Sequence, residues 1–230
     1  MTKKIDLCLA LMCAGAVFLL YFPATTGALF YDDYSNLKAL SDLSSWADVW
    51  AFVFGGHAGP LGRPIALLSF VPFSSGWPDN GQTILVFNVL IHCANFLILV
   101  ALGRALLRLD GRIEPKLHFR IALGAGFLWA VMPLLASTTL IAIQRMTGLA
   151  TFFGLLGVLG FVYGYLLAER RPVAGFICQM AVLGTGTLLA IFSKESGAVF
   201  PVFALVVLFL LLRRSTHSHL LCALQTVFRQ

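Results

Sequence analysis

The sequence predicts an all-α membrane protein, a polytopic bundle of about six transmembrane helices with a long first extracytoplasmic loop. Three observations carry that expectation. Hydrophobic residues make up 59% of the chain and charged residues only 11%, where soluble proteins carry about a quarter of charged residues. The mean hydropathy is +0.90. The apolar residues fall in runs separated by short polar breaks, and the runs match the ~20 residues a helix needs to cross a bilayer core.

The first run follows Lys3 and Lys4 and stops at Pro23, which has no N–H for the next helical hydrogen bond. A signal peptide is the rival reading, but the small residues Ala14-Gly15-Ala16 stand inside the run and not after it. The run is therefore retained as an uncleaved helix, residues 6–22. Residues 23–82 form the outer loop. They carry Asp32, Asp33, Asp42, Asp48 and Asp79, the interfacial anchors Trp46, Trp50 and Trp77, and the turn signals Gly55-Gly56 and Gly59-Pro60. Leu40, Leu43, Trp46, Ala47 and Trp50 recur at three and four positions, which predicts a short amphipathic helix in the interface. Further spans are expected at 83–107, 118–135, 147–168, 173–192 and 197–212, all within one transmembrane domain covering residues 1–230.

Positive charge sets the orientation. With a cytoplasmic N-terminus, twelve of the 16 Lys and Arg residues lie inside and four outside, these being Lys38, Arg63, Arg145 and Lys194. The expected location is the cytoplasmic (inner) membrane, multi-pass. The net charge of +6 does not imply nucleic acid, because the basic residues flank apolar runs and form no aromatic-interleaved patch. The five cysteines show no metal-site spacing and read as small buried hydrophobes. Gly160 and Gly164 give a small-xxx-small spacing, read first as tight packing within the chain.

The polar residues that lack an obvious structural reason gather on the outer side. Asp32 and Asp33 are two adjacent carboxylates near the membrane surface, suited to a general base or, as the one evident oxygen pair, to Mg²⁺ or Mn²⁺. Arg63 follows the Gly55-Gly56-His57-Ala58-Gly59 run and has a fork that fits a phosphate. Asn88, His92 and Asn95 share one face of the second span, with His92 ~14 Å down from its start. Polar groups at that depth need partners, and hydrogen-bonded bundle contacts are the first reading. Pro133 ends the third span, and Ser137, Thr138, Thr139, Gln144 and Arg145 form a polar outer turn. Lys194 and Glu195 make a charged turn between two apolar segments.

Taken in order, Phe30-Tyr31-Asp32-Asp33, Gly62-Arg63-Pro64, Asn88-x-x-x-His92-x-x-Asn95, the proline after span three, Gln144-Arg145 and Ser193-Lys194-Glu195 resemble the N-terminal half of a clan C membrane glycosyltransferase. The pattern is similar to the O-mannosyltransferases that carry tetratricopeptide repeats and to bacterial relatives, over about Tyr21 to Pro201. The resemblance implies transfer of a sugar from a polyprenyl-phosphate donor to an acceptor on the extracytoplasmic side. It implies Asp32 or Asp33 as base or metal ligand, and Arg63, Arg145 and Lys194 near the donor phosphate. His57, Asn88, His92, Gln144 and Glu195 stand as supporting residues. Members of the family have more spans, so a missing C-terminal half or a partner subunit is also expected. A transporter-like bundle and a non-catalytic assembly subunit are the alternatives.

Overall fold

The structure, a computed structural model, describes residues 2–56 and 59–211. Among these residues it is all-helical, and four helical segments are long and apolar enough to cross a membrane. The first is α1 (Thr2–Tyr21), which runs on through a 3₁₀ turn at Phe22–Thr26. The central rod is α5 (Gly81–Asp110), whose 30 residues reach about 45 Å at the usual rise. The other two are α8 (Arg145–Ala168), entered through a 3₁₀ turn at Ala142–Gln144, and α9 (Pro172–Ser193). Each begins or ends near the expected span boundary.

Two expected spans differ from the sequence reading. Pro133 was expected to end the third span in a polar turn, but helix continues beyond it. A 72° bend separates α6 (Pro115–Ala130) from α7 (Leu134–Leu140), and the two pass as a fifth span only when taken together. Proline lacks the N–H that would continue the α6 hydrogen-bond ladder, yet its fixed φ suits the start of a helix. Where the sixth span was expected, at 197–212, the described residues hold an apolar helix over Glu195–Leu211, which is shorter than the four that are long enough to cross a membrane. It opens with a 3₁₀ turn at Glu195–Val199 and continues as α10, residues 200–211. Residues 212–230, including Arg213, Arg214, Arg229 and Cys222, lie outside the described residues.

The segment between α1 and α5 is a folded cap. It contains α2 (Tyr31–Leu37), a 3₁₀ turn at Lys38–Asp42, α3 (Trp46–Phe54), α4 (Pro64–Leu68) and a 3₁₀ turn at Val71–Gly76. The amphipathic helix expected from Leu40 onward is α3, which starts only at Trp46. Leu40 belongs to the preceding 3₁₀ turn, because Ser45 caps α3 by accepting from the Asp48 N–H at 3.3 Å. Trp46, Trp50 and Phe54 leave an exposed aromatic edge along α3, with Trp50 and Phe54 stacked at 5.4 Å. The cap seats on the bundle through Leu37, Leu40, Phe70, Ile84, Leu85 and Ile143, part of one apolar cluster. Each such side chain contributes roughly 1.5–3 kcal/mol when fully buried from water.

Two more clusters hold the rods together. One joins α1, α5 and α6 around Val17, Phe96 and Ala122; the other joins the far half of α5 to α8, α9 and α10 around Val162, Ala190 and Ala204. The glycines of α8 serve contacts within the chain. A Cβ on Gly186 of α9 would stand 2.8 Å from the Gly157 Cα and 2.7 Å from the Phe153 carbonyl oxygen. At Gly164 an added Cβ would stand 2.8 Å from the Gln179 N and 3.0 Å from the Gly175 carbonyl oxygen. The small-residue stripe thus lets α8 and α9 approach backbone to backbone.

Candidate functional site

The polar residues singled out in the sequence assemble around the first turn of α8, and the structure gives them different tasks. The two aspartates separate. Asp33 is fully buried, with one carboxylate oxygen accepting from the Ile143 N–H at 2.7 Å and the other from the Phe30 N–H at 2.8 Å. It caps α2 and pins that helix to the entry of α8. Asp32, one residue earlier, is exposed; its backbone carbonyl accepts from Ser35 and Asn36. Asp32 therefore presents the carboxylate of the pair that faces solvent.

A divalent ion held between the two would need oxygens from both. Those of Asp33 are committed to backbone amides, and no group of three or more His, Cys, Asp or Glu side chains suited to a metal occurs among the described residues. The pair does not fit a shared Mg²⁺ or Mn²⁺ site.

Arg145 is the most committed of the expected phosphate ligands. It is 1% exposed, and its guanidinium donates to Asn88 Oδ1 at 2.8 Å, the Ser69 carbonyl at 2.8 Å and the Ile84 carbonyl at 2.9 Å. Phe70, Phe73 and Phe87 surround it, with ring centroids 4.2, 4.7 and 4.8 Å from the guanidinium carbon. Each guanidinium nitrogen thus has an acceptor, and aromatic rings pack around the group. Arg145 clamps the cap to α5 and α8, and its donors are not directed at a ligand.

Arg63 and Lys194 remain nearer the surface. Arg63 sits in the left-handed region at φ 56°, an uncommon conformation for a non-glycine residue. Its fork grips Glu195, with Nη2 to Oε2 at 3.0 Å and Nε to the two oxygens at 3.1 and 3.3 Å. The pair ties the cap to the turn between α9 and α10 and is partly solvent-accessible. The Lys194 ammonium donates to Thr147 Oγ1 at 2.7 Å and to Gln144 Oε1 at 3.5 Å. Burial, reinforced by the Arg63 charge and opposed by Glu195, holds Lys194 below the usual lysine value.

The stripe on α5 is spent mainly on backbone carbonyls freed where neighbouring helices break. His92 Nε2 lies 2.8 Å from the Ala130 carbonyl oxygen, which also accepts from the Tyr21 hydroxyl at 3.1 Å. An acceptor there places the ring proton on Nε2. Asn88 donates to the carbonyls of Ile141 and Ala142 at 3.1 and 3.2 Å, and Asn95 to that of Gly148 at 3.0 Å. The bonds to Ala130, Ile141 and Ala142 staple the bent α6–α7 segment to the central rod, since orphan carbonyls away from water must find donors, and the bond to Gly148 ties α8 to the same rod. His57 lies outside the described residues.

Two hollows flank the start of α8. One, about 360 Å³, runs between α5, α7, α8 and α10 and has both Arg145 and Thr147 in its wall. The other, about 460 Å³, lies under the cap against Ser35, Asn36, Lys38, Asp48 and Met146. Thr147 and Met146 were not singled out in the sequence. For Thr147 a signal was available, since it stands three residues after Gln144 and donates to it at 2.8 Å. Comparison of the chain with models of protein families, with curated proteins and with solved structures found no match.

Proposed function

We propose that the chain acts as a membrane glycosyltransferase, passing a sugar from a polyprenyl-phosphate donor to an acceptor on the extracytoplasmic side. In this reading α10 is a sixth span, the N-terminus is cytoplasmic, the cap over residues 23–82 faces outward, and the membrane is the cytoplasmic (inner) one. The observation that supports it is that the neighbour of a solvent-facing carboxylate and a lysine are both fastened to one turn. Asp33 fastens α2 to Ile143, and the next residue, Gln144, accepts from Lys194. The exposed Asp32 and the Lys194–Arg63 corner are thereby held by adjacent parts of the same structure.

The chemistry follows from those roles. Asp32 takes the proton of the acceptor hydroxyl as that oxygen attacks the anomeric carbon. The bond from that carbon to the phosphate oxygen breaks, and the polyprenyl phosphate leaves with the bonding electrons. Lys194, with Arg63 beside it, balances the charge that gathers on the departing phosphate. Arg145 has no part in that step, because it is 1% exposed and held inside the protein, whereas the Arg63 side chain stays 21% exposed. A transporter reading is less well supported, since Asn88 and His92 are engaged on carbonyls.

The test is sugar transfer in proteoliposomes supplied with a labelled polyprenyl-phosphate sugar. Asp32→Asn is expected to lower transfer by about 10²–10⁴-fold, the usual contribution of a general base, with insertion unchanged. Transfer at the unmodified rate would remove the assignment of Asp32.

A further inference from the structure

The hollow between α5, α7, α8 and α10 has an arginine in its wall and would at first sight suit an anion. Its hydrogen-bonding capacity says otherwise. The Arg145 guanidinium is paired on every nitrogen and 1% exposed. Thr147 donates its hydroxyl proton to Gln144 Oε1, and Thr151 donates its own to the Thr147 carbonyl at 2.9 Å. Trp129, Thr138 and Thr139 also line the hollow and bring an N–H and two hydroxyls to it, whereas the unpartnered buried group is an acceptor. Asn95 is 2% exposed, and its Oδ1 is buried without a hydrogen-bond partner. Its amide cannot be turned over to escape this, because Nδ2 is fixed on the Gly148 carbonyl. His92, also in the lining, spends Nε2–H on Ala130, so a neutral ring offers Nδ1 as a further acceptor.

A buried acceptor without a donor is costly, and a ligand that supplies the donor recovers that cost. No carboxylate lines this hollow, so nothing there compensates a cation. The apolar lining comprises residues such as Leu99 of α5, Leu155 of α8, and Phe200 and Phe203 of α10. Phe203 is itself half-exposed on the outside of the bundle, which leaves that side of the hollow continuous with its apolar surroundings. The volume, about 360 Å³, falls in the range of small-molecule sites.

We infer that this hollow binds the uncharged, hydroxyl-bearing head of an amphiphile, with a hydroxyl donating to Asn95 Oδ1 and the hydrocarbon lying along Phe200 and Phe203. The inference stands whether or not the chain transfers sugar. Hydroxyls of this kind come either from a lipid alcohol or from a glycosyl head group, and the experiment separates them.

The full chain in lipid nanodiscs prepared without glycoside detergent is titrated with tritiated decyl glucoside, and saturable binding is separated from the linear uptake by lipid. Unlabelled decanol and decyl phosphate serve as competitors. We expect saturable binding that decyl phosphate does not displace, and that Asn95→Leu weakens by about tenfold or more. Because Asn95→Leu also removes the bond to Gly148, Leu99→Trp provides a second variant; it fills the hollow without touching a hydrogen bond and should abolish binding. Competition by decanol as strong as by unlabelled decyl glucoside assigns the site to a lipid alcohol, and weaker competition to a glycosyl head. The inference is overturned by the absence of saturable binding, which would mean a hollow that holds water only. Displacement by decyl phosphate as strong as by the glucoside overturns it as well, as does unchanged affinity in a folded Asn95→Leu protein.

Discussion

Replacing Arg145 distinguishes a clamp from a ligand, and the structure sets the size of the effect. In Arg145→Met the apolar stem is kept and the fork is lost, so Asn88 Oδ1 and the Ser69 carbonyl lose their donor, while the Ile84 carbonyl keeps its helical N–H partner within α5. A buried acceptor left unpaired costs about 1–3 kcal/mol, so two cost about 2–6 kcal/mol before compensation. Relief from burying a guanidinium returns part of that, and polar contacts in membrane proteins are often worth less than in water. We expect a net loss of about 3–5 kcal/mol, in keeping with the breaking of other buried charged networks. Arg145→Lys should recover little, since an ammonium cannot reproduce three bonds in the plane of a fork or the stacking on Phe70. The assay is denaturant unfolding of the purified protein in micelles, with size-exclusion chromatography to report folded yield. A phosphate-binding arginine would behave differently: its loss would spare stability, and lysine would restore donor binding. An Arg145→Met protein within about 1 kcal/mol of the unmodified one, below the cost of even a single orphaned acceptor in a typical case, would refute the clamp.

Asp33→Asn should destabilise by about 1–3 kcal/mol, because one of the two amides now on the carboxylate would face an NH₂ group; Asp32→Asn should leave the unfolding midpoint where it is, and equal effects from the two would undo the division between them. Gly186→Ala should cost about 1–3 kcal/mol through overpacking against Gly157 and Phe153, whereas Gly184→Ala, with nothing within 4 Å of the added Cβ, should be neutral or gain up to about 1 kcal/mol from helix propensity. Asp48 accepts side-chain and then backbone hydrogen bonds from Ser44 and Ser45, which bring its carboxyl from 3.8 to about 2. Its folded value is the lower one, so the contribution of this cap is full above pH 3.8 and fades as the pH falls through about 2. A carboxylate-detected NMR titration that places Asp48 at an ordinary aspartate value would contradict the cap.

The rods were legible because hydropathy reports them one residue at a time, and an apolar run of the right length has few alternatives in lipid. The turn at Pro133 was legible only as a break. Whether a helix resumes after a proline depends on what receives the freed carbonyls, and here the receivers are His92 and Tyr21, 38 and 109 residues from Ala130. The aspartate pair shows the same limit. Two identical neighbours in sequence have opposite environments because α2 turns one toward Ile143, 110 residues away. Gln144, Arg145, Lys194 and Glu195 stood out as polar or charged side chains in apolar company, a local signal. That Arg145 is buried among three phenylalanines while Arg63 meets Glu195 is a matter of tertiary contact, which spacing does not encode.

These assignments share one mechanical consequence. Asp33 holds residue 143, Lys194 reaches residues 144 and 147, Arg145 anchors itself, and Arg63 touches both Glu195 and the Met146 sulfur at 3.3 Å. Cap, central rod and the α9–α10 turn are therefore all tied to five consecutive residues, 143–147. Helix termini carry unpaired N–H groups that something must satisfy, and at the entry of α8 one of them is met by a carboxylate from the cap. Because both hollows use residues of this same turn in their walls, a change that shifts the turn alters them together. Asp32 and Lys194 keep their places relative to either hollow only while Asp33 and Arg145 hold, so the two buried residues govern the site through position and not through contact with a ligand.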